Sequence, residues 1–128
     1  MFAAAPHMVQ DVDRAVLLTR VFLEGLNARD VDGLATLVSN DVEFRNASDG
    51  RSLHGRQALE VIVRVAKEEN VRIVRRDSEE ITSHDGELRI AVPVLELASG
   101  AEIPGMAIFD VRDDRIVAFE VTSEQLRR

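Results

Sequence analysis

Two amphipathic helices, a short strand, a third helix entered through Leu53-His54-Gly55-Arg56, and then strands alone to the end predict an α+β domain. That order describes a curved sheet folded over helices, with an apolar pocket between the two layers. A second observation supports it: hydrophobic spacing changes from helical period to period two after about residue 70. A third is size, since 128 residues suffice for one core and are too few for two.

From Asp13 to Arg29 the apolar residues Ala15, Leu18, Phe22 and Leu26 form one helical stripe, widened by Leu17 and Val21. Asp11 or Asp13 can cap its start, because a carboxylate accepts the orphaned N–H groups there. Asp30 caps a short second helix reaching Val38, and Ser39-Asn40-Asp41 ends it. In Asp41 to Asn46, Val42, Phe44 and Asn46 share one side of a strand, with Glu43 and Arg45 on the other. Residues 47–52 read as a loop. After Gly55, a third helix places Ala58, Leu59, Ile62, Val63 and Ala66 on one face and gives way at Glu68-Glu69-Asn70.

The remainder alternates. Val71 to Arg75 and Glu80 to Thr82 form one interrupted strand, and His84-Asp85-Gly86 is a hairpin turn because Asp-Gly tolerates positive φ. Leu88 to Leu97 is apolar on both faces, so both are expected to be covered. Glu102 to Val111 and Arg115 to Thr122 complete the strands, joined by Ser99-Gly100 and Arg112-Asp113-Asp114. The latter reads as a turn rather than a metal site.

Composition removes several functions. The chain has no cysteine, hence no disulfide, thiol nucleophile or zinc–thiolate site. With 16 basic against 23 acidic residues and a net charge of −7, it repels phosphate backbones, which argues against nucleic acid. No apolar run approaches the roughly 20 residues that span a bilayer. Gly-rich phosphate loops, nucleophile elbows and paired-carboxylate motifs are missing from the sequence. Met1 to Met8 lacks the basic and apolar regions of a secretion signal. Residues 1–11 read as a disordered leader or as residues ahead of a native start at Met8, and 12–128 as one domain. A cytoplasmic bacterial protein is the default expectation.

Three strings carry a resemblance: Asn27-Ala28-Arg29-Asp30-Val31-Asp32-Gly33-Leu34, Asn40-Asp41-Val42-Glu43-Phe44 and His54-Gly55-Arg56-Gln57-Ala58. In this order, and with the strand–turn–strand ending Phe109 to Ser123, they resemble the nuclear transport factor 2-like superfamily, in its SnoaL-like and ketosteroid-isomerase-like branch. The resemblance covers residues 12–125. It implies a cone of highly curved antiparallel sheet around three helices, an internal cavity and a homodimer. It also implies proton-transfer chemistry without a cofactor: isomerization, cyclization, dehydration or epoxide opening of an apolar metabolite. The alternative is a dimeric ligand-binding or scaffold module without catalysis.

The best-known catalytic positions of that branch are altered here. Placed on this sequence, the ketosteroid isomerase Tyr falls on Phe22, its Asp base on Asn46, and its second acid near Gly105. Phe22 cannot donate a hydrogen bond, and Asn46 cannot take a proton. Against limonene-epoxide-hydrolase-like enzymes, Phe44 replaces a Tyr and Asn46 is retained. The Arg and Asp of those enzymes map near Ala91 and Pro93, and their last Asp near Val121.

The residues themselves nominate three catalytic candidates. Asn46 closes an apolar face, where an amide can orient a carbonyl or a water, or else satisfy the backbone at the strand end. His54 can exchange protons near pH 7, or sit structurally at the helix entrance. Glu120, if it faces the cavity, becomes an acid or base by desolvation; otherwise it is an outward strand charge. Glu96 shares a face with Leu88, Ile90, Val92 and Val94, odd company for a carboxylate unless the strand ends there in solvent. Arg89 has Glu96 or Glu120 as a prospective partner. Phe22, Phe44, Met106, Phe109 and Phe119 are the candidate substrate-binding walls, or alternatively the filling of a solid core.

Overall fold

The computed structural model describes residues 11–46 and 50–123. Of the expected leader, only Asp11 is among them. Helix α1 (Val12–Asn27) starts where the Asp11 carboxylate accepts from the Arg14 N–H at 3.1 Å. Its buried stripe is Ala15, Thr19, Phe22, Leu23 and Leu26. Helix α2 (Val31–Ala35) is capped by Asp30, whose carboxylate accepts from the Gly33 N–H at 2.9 Å. A side chain at Gly33 would collide with that carboxylate, its Cβ falling 2.3 Å from Asp30 Oδ2.

The second helix is shorter than its periodicity suggested. Ser39-Asn40-Asp41 does not end a helix but lies inside strand β1 (Val38–Asn46). The register slips between Val38 and Glu43, so this segment forms an irregularity rather than a break. Strand β2 (Ser52–His54), read from sequence as loop and helix entrance, pairs antiparallel with β1. Helix α3 (Gly55–Glu68) follows at once, with Ala58, Leu59, Ile62, Val63 and Ala66 buried as the stripe predicts.

Strands β3 (Arg72–Arg75) and β4 (Glu80–His84) both pair with β5 (Glu87–Ala98), one beyond the other, as an interrupted strand should. Then come β6 (Ala101–Arg112) and β7 (Arg115–Ser123). The sheet order is β2-β1-β7-β6-β5-β3, with β4 also on β5. Every pairing is antiparallel except β1 with β7. An extra residue in β7, Val117, bulges against β6 and bends the sheet over the helices.

Two-residue turns join the last four strands, with positive φ at Asp85 and Gly86, Ser99 and Gly100, and Asp113 and Asp114. That is the geometry favoured by tight hairpins. Only the last turn has no glycine. Asp114→Gly is therefore expected to raise stability by about 1 kcal/mol, because a left-handed non-glycine residue costs roughly that much. A chemical denaturation midpoint that falls would contradict it.

The string around Asn27 proves architectural. The Asn27 amide donates to the Ile73 carbonyl at 2.8 Å and accepts the Ile73 N–H at 2.9 Å, docking α1 onto β3. Arg29, at φ 60°, donates to the carbonyls of Leu26, Ala66 and Val71 at 3.2, 3.1 and 2.7 Å. It thereby joins the C-terminal ends of α1 and α3 to the start of β3.

Candidate functional site

The helix-facing side of the sheet is fixed by three rings. Phe22 on α1 meets Phe109 on β6 edge-on at 5.5 Å and Phe119 on β7 at 4.8 Å. Phe109 and Phe119 lie 4.9 Å apart, and Phe44 on β1 stacks on Phe119 at 5.7 Å. Phe22, Phe109 and Phe119 are fully buried, whereas Phe44 is half-buried at the edge of the cluster. At this level the space between helix and sheet is filled by aromatic contact rather than open.

Alternation then assigns every neighbour. Val121, Ala107, Gly105 and Ile103 face the helices, and so do Val92, Val94 and Glu96 on β5. The register gives their order: Phe44 beside Phe119, Asn46 beside Val121, Val121 beside Ala107, Gly105 beside Val94, and Ile103 beside Glu96. Towards the C-terminal end of β1 the helix-facing row therefore changes from phenylalanines to valine, alanine and glycine. Phe44, Val121, Gly105, Ile103 and Glu96 are half-buried along this path. The backbone of Asn46 lies on it; the Asn46 side chain is outside the described part of the structure.

The same alternation moves two sequence candidates away from the helices. Glu120 follows the buried Phe119 and sits on the outer face, in register with Arg45 and Ile108. Met106, three residues before Phe109, is on that outer face as well. For Glu120 this is the second of its two sequence readings, an outward strand charge, whereas for Met106 strand parity corrects the expectation of a pocket wall. Ala91 and Pro93 also point outward, so the positions mapped from the epoxide hydrolases miss the helix-facing wall on β5. His54 is exposed on β2 opposite Glu43, and its side chain makes no capping hydrogen bond to α3.

The outer face carries its own charge network. Asp110, its side chain 3% exposed, accepts from Arg89 at 2.8 and 3.2 Å and from Arg45 at 3.3 Å. Arg45 also donates to Glu43 at 3.1 Å, and the Ser52 hydroxyl donates to Glu43 at 2.7 Å. Arg89 thus pairs with Asp110 rather than with Glu96 or Glu120. The Ser52 hydroxyl, then Arg45, hold the Glu43 carboxyl below its ordinary range, with burial opposing them. A lowered carboxylate stabilises the fold above its unfolded pKa, and that contribution is lost as pH falls through the lowered value.

Glu96 differs from all of these. It lies on the helix-facing wall between Ile73 and Ile103, and among the described residues it has no ion pair or hydrogen bond. Burial pushes its carboxyl above the ordinary range, and the Glu69 carboxylate pushes it the same way. The signal was present in sequence, since Glu96 has the parity of Leu88, Ile90, Val92 and Val94. A groove of ≈ 360 Å³ at the β5–β6 tip, lined by Asn70, Arg72 and residues 97–102, is next to it in sequence. Among the described residues no group of His, Asp and Glu is arranged to hold a metal.

A profile of the SnoaL-like domain matches residues 19–119. The chain belongs to the SnoaL-like domain family. Similar solved structures include a protein of unknown function with a cystatin-like fold from Methylobium petroleophilum PM1. It has a TM-score of 0.74 and 12% identity, covering 89% of this chain and 78% of that one. A candidate ketosteroid isomerase from Kribbella flavida DSM 17836 has a TM-score of 0.68 and 17% identity, covering 87% and 78%. A candidate polyketide cyclase from Xanthomonas campestris pv. campestris has a TM-score of 0.63 and 24% identity, covering 85% and 89%. At these identities the likeness is one of fold. No curated protein matches the sequence significantly. The three helices and the curved, mostly antiparallel sheet are those of the nuclear transport factor 2-like cone, and no helix among the described residues is long and apolar enough to cross a membrane.

Proposed function

We propose that this SnoaL-like chain binds a small apolar molecule between its helices and sheet and performs cofactor-independent proton-transfer chemistry on it. Isomerization, cyclization, dehydration and epoxide opening are the reaction types in view. The observation that carries the reading is the half-buried path from Phe44 through Val121, Gly105 and Ile103 to Glu96. There, side chains shrink beyond a closed aromatic core, and an apolar wall ends in an ionisable group. Sites for small ligands have this character: mostly apolar, with few polar groups. The candidate activities of the Kribbella and Xanthomonas relatives, isomerase and cyclase, are of the same reaction class.

In this reading Asn46 orients an oxygen of the substrate by donating from its amide. Protein methyl NMR with a panel of hydrophobic ketones, lactones and epoxides tests it. Binding is expected to shift Val121 and Ile103 while leaving the outer-face Ile108 unmoved. With an accepted substrate, Asn46→Ala is expected to lower turnover about 100-fold at unchanged melting temperature. Shifts confined to the outer face would overturn the reading.

The filled ring cluster favours a second reading, a ligand-binding or scaffold module without catalysis. For either, we propose a homodimer through the outer sheet face, where Ala91, Pro93, Leu95, Met106 and Ile108 form a half-exposed apolar patch. A monomer mass in light scattering at micromolar concentration would refute the dimer.

A further inference from the structure

Among the described residues, Glu96 is the polar group of the helix-facing wall that the fold does not use. Two other carboxylates shielded from solvent are paired: Asp110 with Arg89 and Arg45, and Glu79 with Arg20 at 3.0 Å and Arg75 at 3.3 Å. Glu96 sits instead between two isoleucines, Ile73 on β3 and Ile103 on β6. Diagonally across from it on β6 stands Gly105, which contributes no side chain, so the space before the carboxyl is not filled from that position.

The charged and titratable groups around it are few. From the end of α3 comes the Glu69 carboxylate, which is repulsive. On β3 the nearest cation sharing its face is Arg75, two residues from Ile73 and already paired with Glu79. From α1 comes the Asn27 amide, committed to the Ile73 backbone. On β6, Glu102 points to the other face. Among the described residues, a ligand anion would meet two carboxylates there and no free cation.

We infer that Glu96, in its neutral carboxylic acid form, donates a hydrogen bond to an uncharged carbonyl or ether oxygen of the ligand, and so selects neutral oxygen-bearing apolar molecules over anionic ones. The inference rests on the binding site proposed above. Its physical basis is that an unpaired carboxyl on an apolar wall favours the protonated form, and only that form can donate. A ligand that prefers protonated Glu96 binds less tightly as pH rises through the Glu96 titration, by up to about tenfold per pH unit.

The test uses 6-propionyl-2-(dimethylamino)naphthalene, a neutral fluorescent ketone, and its carboxylate analogue, 6-(dimethylamino)-2-naphthoate. The protein has no Trp or Tyr, so it contributes little background. Titrations run from about pH 5.5 to 8.5, with methyl NMR of Val121 and Ile103 as the location readout. The ketone is expected to bind with affinity that falls with pH, the naphthoate at least tenfold more weakly. Glu96→Gln, which still donates from its amide, is expected to keep ketone binding and abolish the pH dependence. Glu96→Val is expected to weaken binding at pH 5.5, and Glu120→Gln on the outer face to leave the slope intact. Ketone binding at Val121 and Ile103 with a slope that survives Glu96→Gln, or a naphthoate that binds equally well, would overturn the role of Glu96 and leave the proposed site standing. Failure of the ketone and of every panel member to shift those methyls would overturn the site itself, and this inference with it.

Discussion

Phe109→Ala is expected to destabilise the fold by about 3–5 kcal/mol, the range for truncating a fully buried phenylalanine. Phe109 is 0% exposed and touches both Phe22 and Phe119, so the loss removes two of the ring contacts that join α1 to the sheet. The neighbouring helix-facing wall offers small side chains, Ala107 among them, that cannot refill the space. Denaturant unfolding followed by circular dichroism checks it, since the chain lacks Trp and Tyr. A loss below about 1.5 kcal/mol would mean that the core collapses around the gap. The same variant bears on function: if the ring cluster only fills space, ligand shifts at Val121 persist in whatever fraction remains folded.

Arg29→Ala is expected to cost about 3 kcal/mol, because the guanidinium makes three charge-assisted bonds, although the Leu26 and Ala66 carbonyls also accept the Arg29 and Val71 N–H groups. Half-exposure of Arg29 lets water replace part of this, which keeps the expected loss below the sum of three separate bonds. Arg29 also occupies a left-handed backbone position at φ 60°. Arg29→Gly is therefore expected to lose about 1 kcal/mol less than Arg29→Ala. Arg29→Lys should behave more like alanine, since one ammonium cannot span Leu26, Ala66 and Val71 as the planar fork does. Equal stability of wild type and Arg29→Ala would show that the junction of α1, α3 and β3 is held by Asn27 and apolar packing alone.

Much of the fold was legible because the relevant signals are local. The stripe Ala58, Leu59, Ile62, Val63, Ala66 is buried as helical period requires. In the first helix Ala15, Phe22 and Leu26 are buried and Leu18 partly so, but Leu17 and Val21, expected to widen the stripe, are exposed, and Thr19 and Leu23 are buried instead. Asp85-Gly86 and Ser99-Gly100 announce turns by their tolerance of positive φ. The boundary errors also have a local cause. Val31 to Val38 carries helical spacing, but the helix stops at Ala35 because Val38 pairs with Ile116, far away in sequence. Ser52 to His54 is too short to show alternation, so its pairing with β1 left no trace in the sequence.

The candidate site was less legible. Phe119 and Glu120 are adjacent, so only one can face the helices. Sequence alone left the choice open, and contact of Phe119 with Phe22 settles it. Met106 illustrates the opposite hazard: a hydrophobic residue on a two-sided apolar strand gives no sign of its face. Glu96 had the parity of the core residues, yet parity cannot say whether a strand's end still lies under the helices. In the fold that end stays half-buried, with Ile73 on one side and Ile103 on the other.

By itself the sequence determined the three helices and the long strands, where the tight turns fall, and that cysteine chemistry and phosphate-binding loop motifs are missing from it. These depend on period, backbone freedom and composition, all properties of neighbouring residues. Only the tertiary structure decided that β1 runs parallel to β7, that Asp110 forms an outer network with Arg89 and Arg45, and that Glu96 on the inner wall has no partner among the described residues. Those outcomes depend on which distant strands lie side by side, because a side chain's solvent and partners are set across the sheet rather than along the chain.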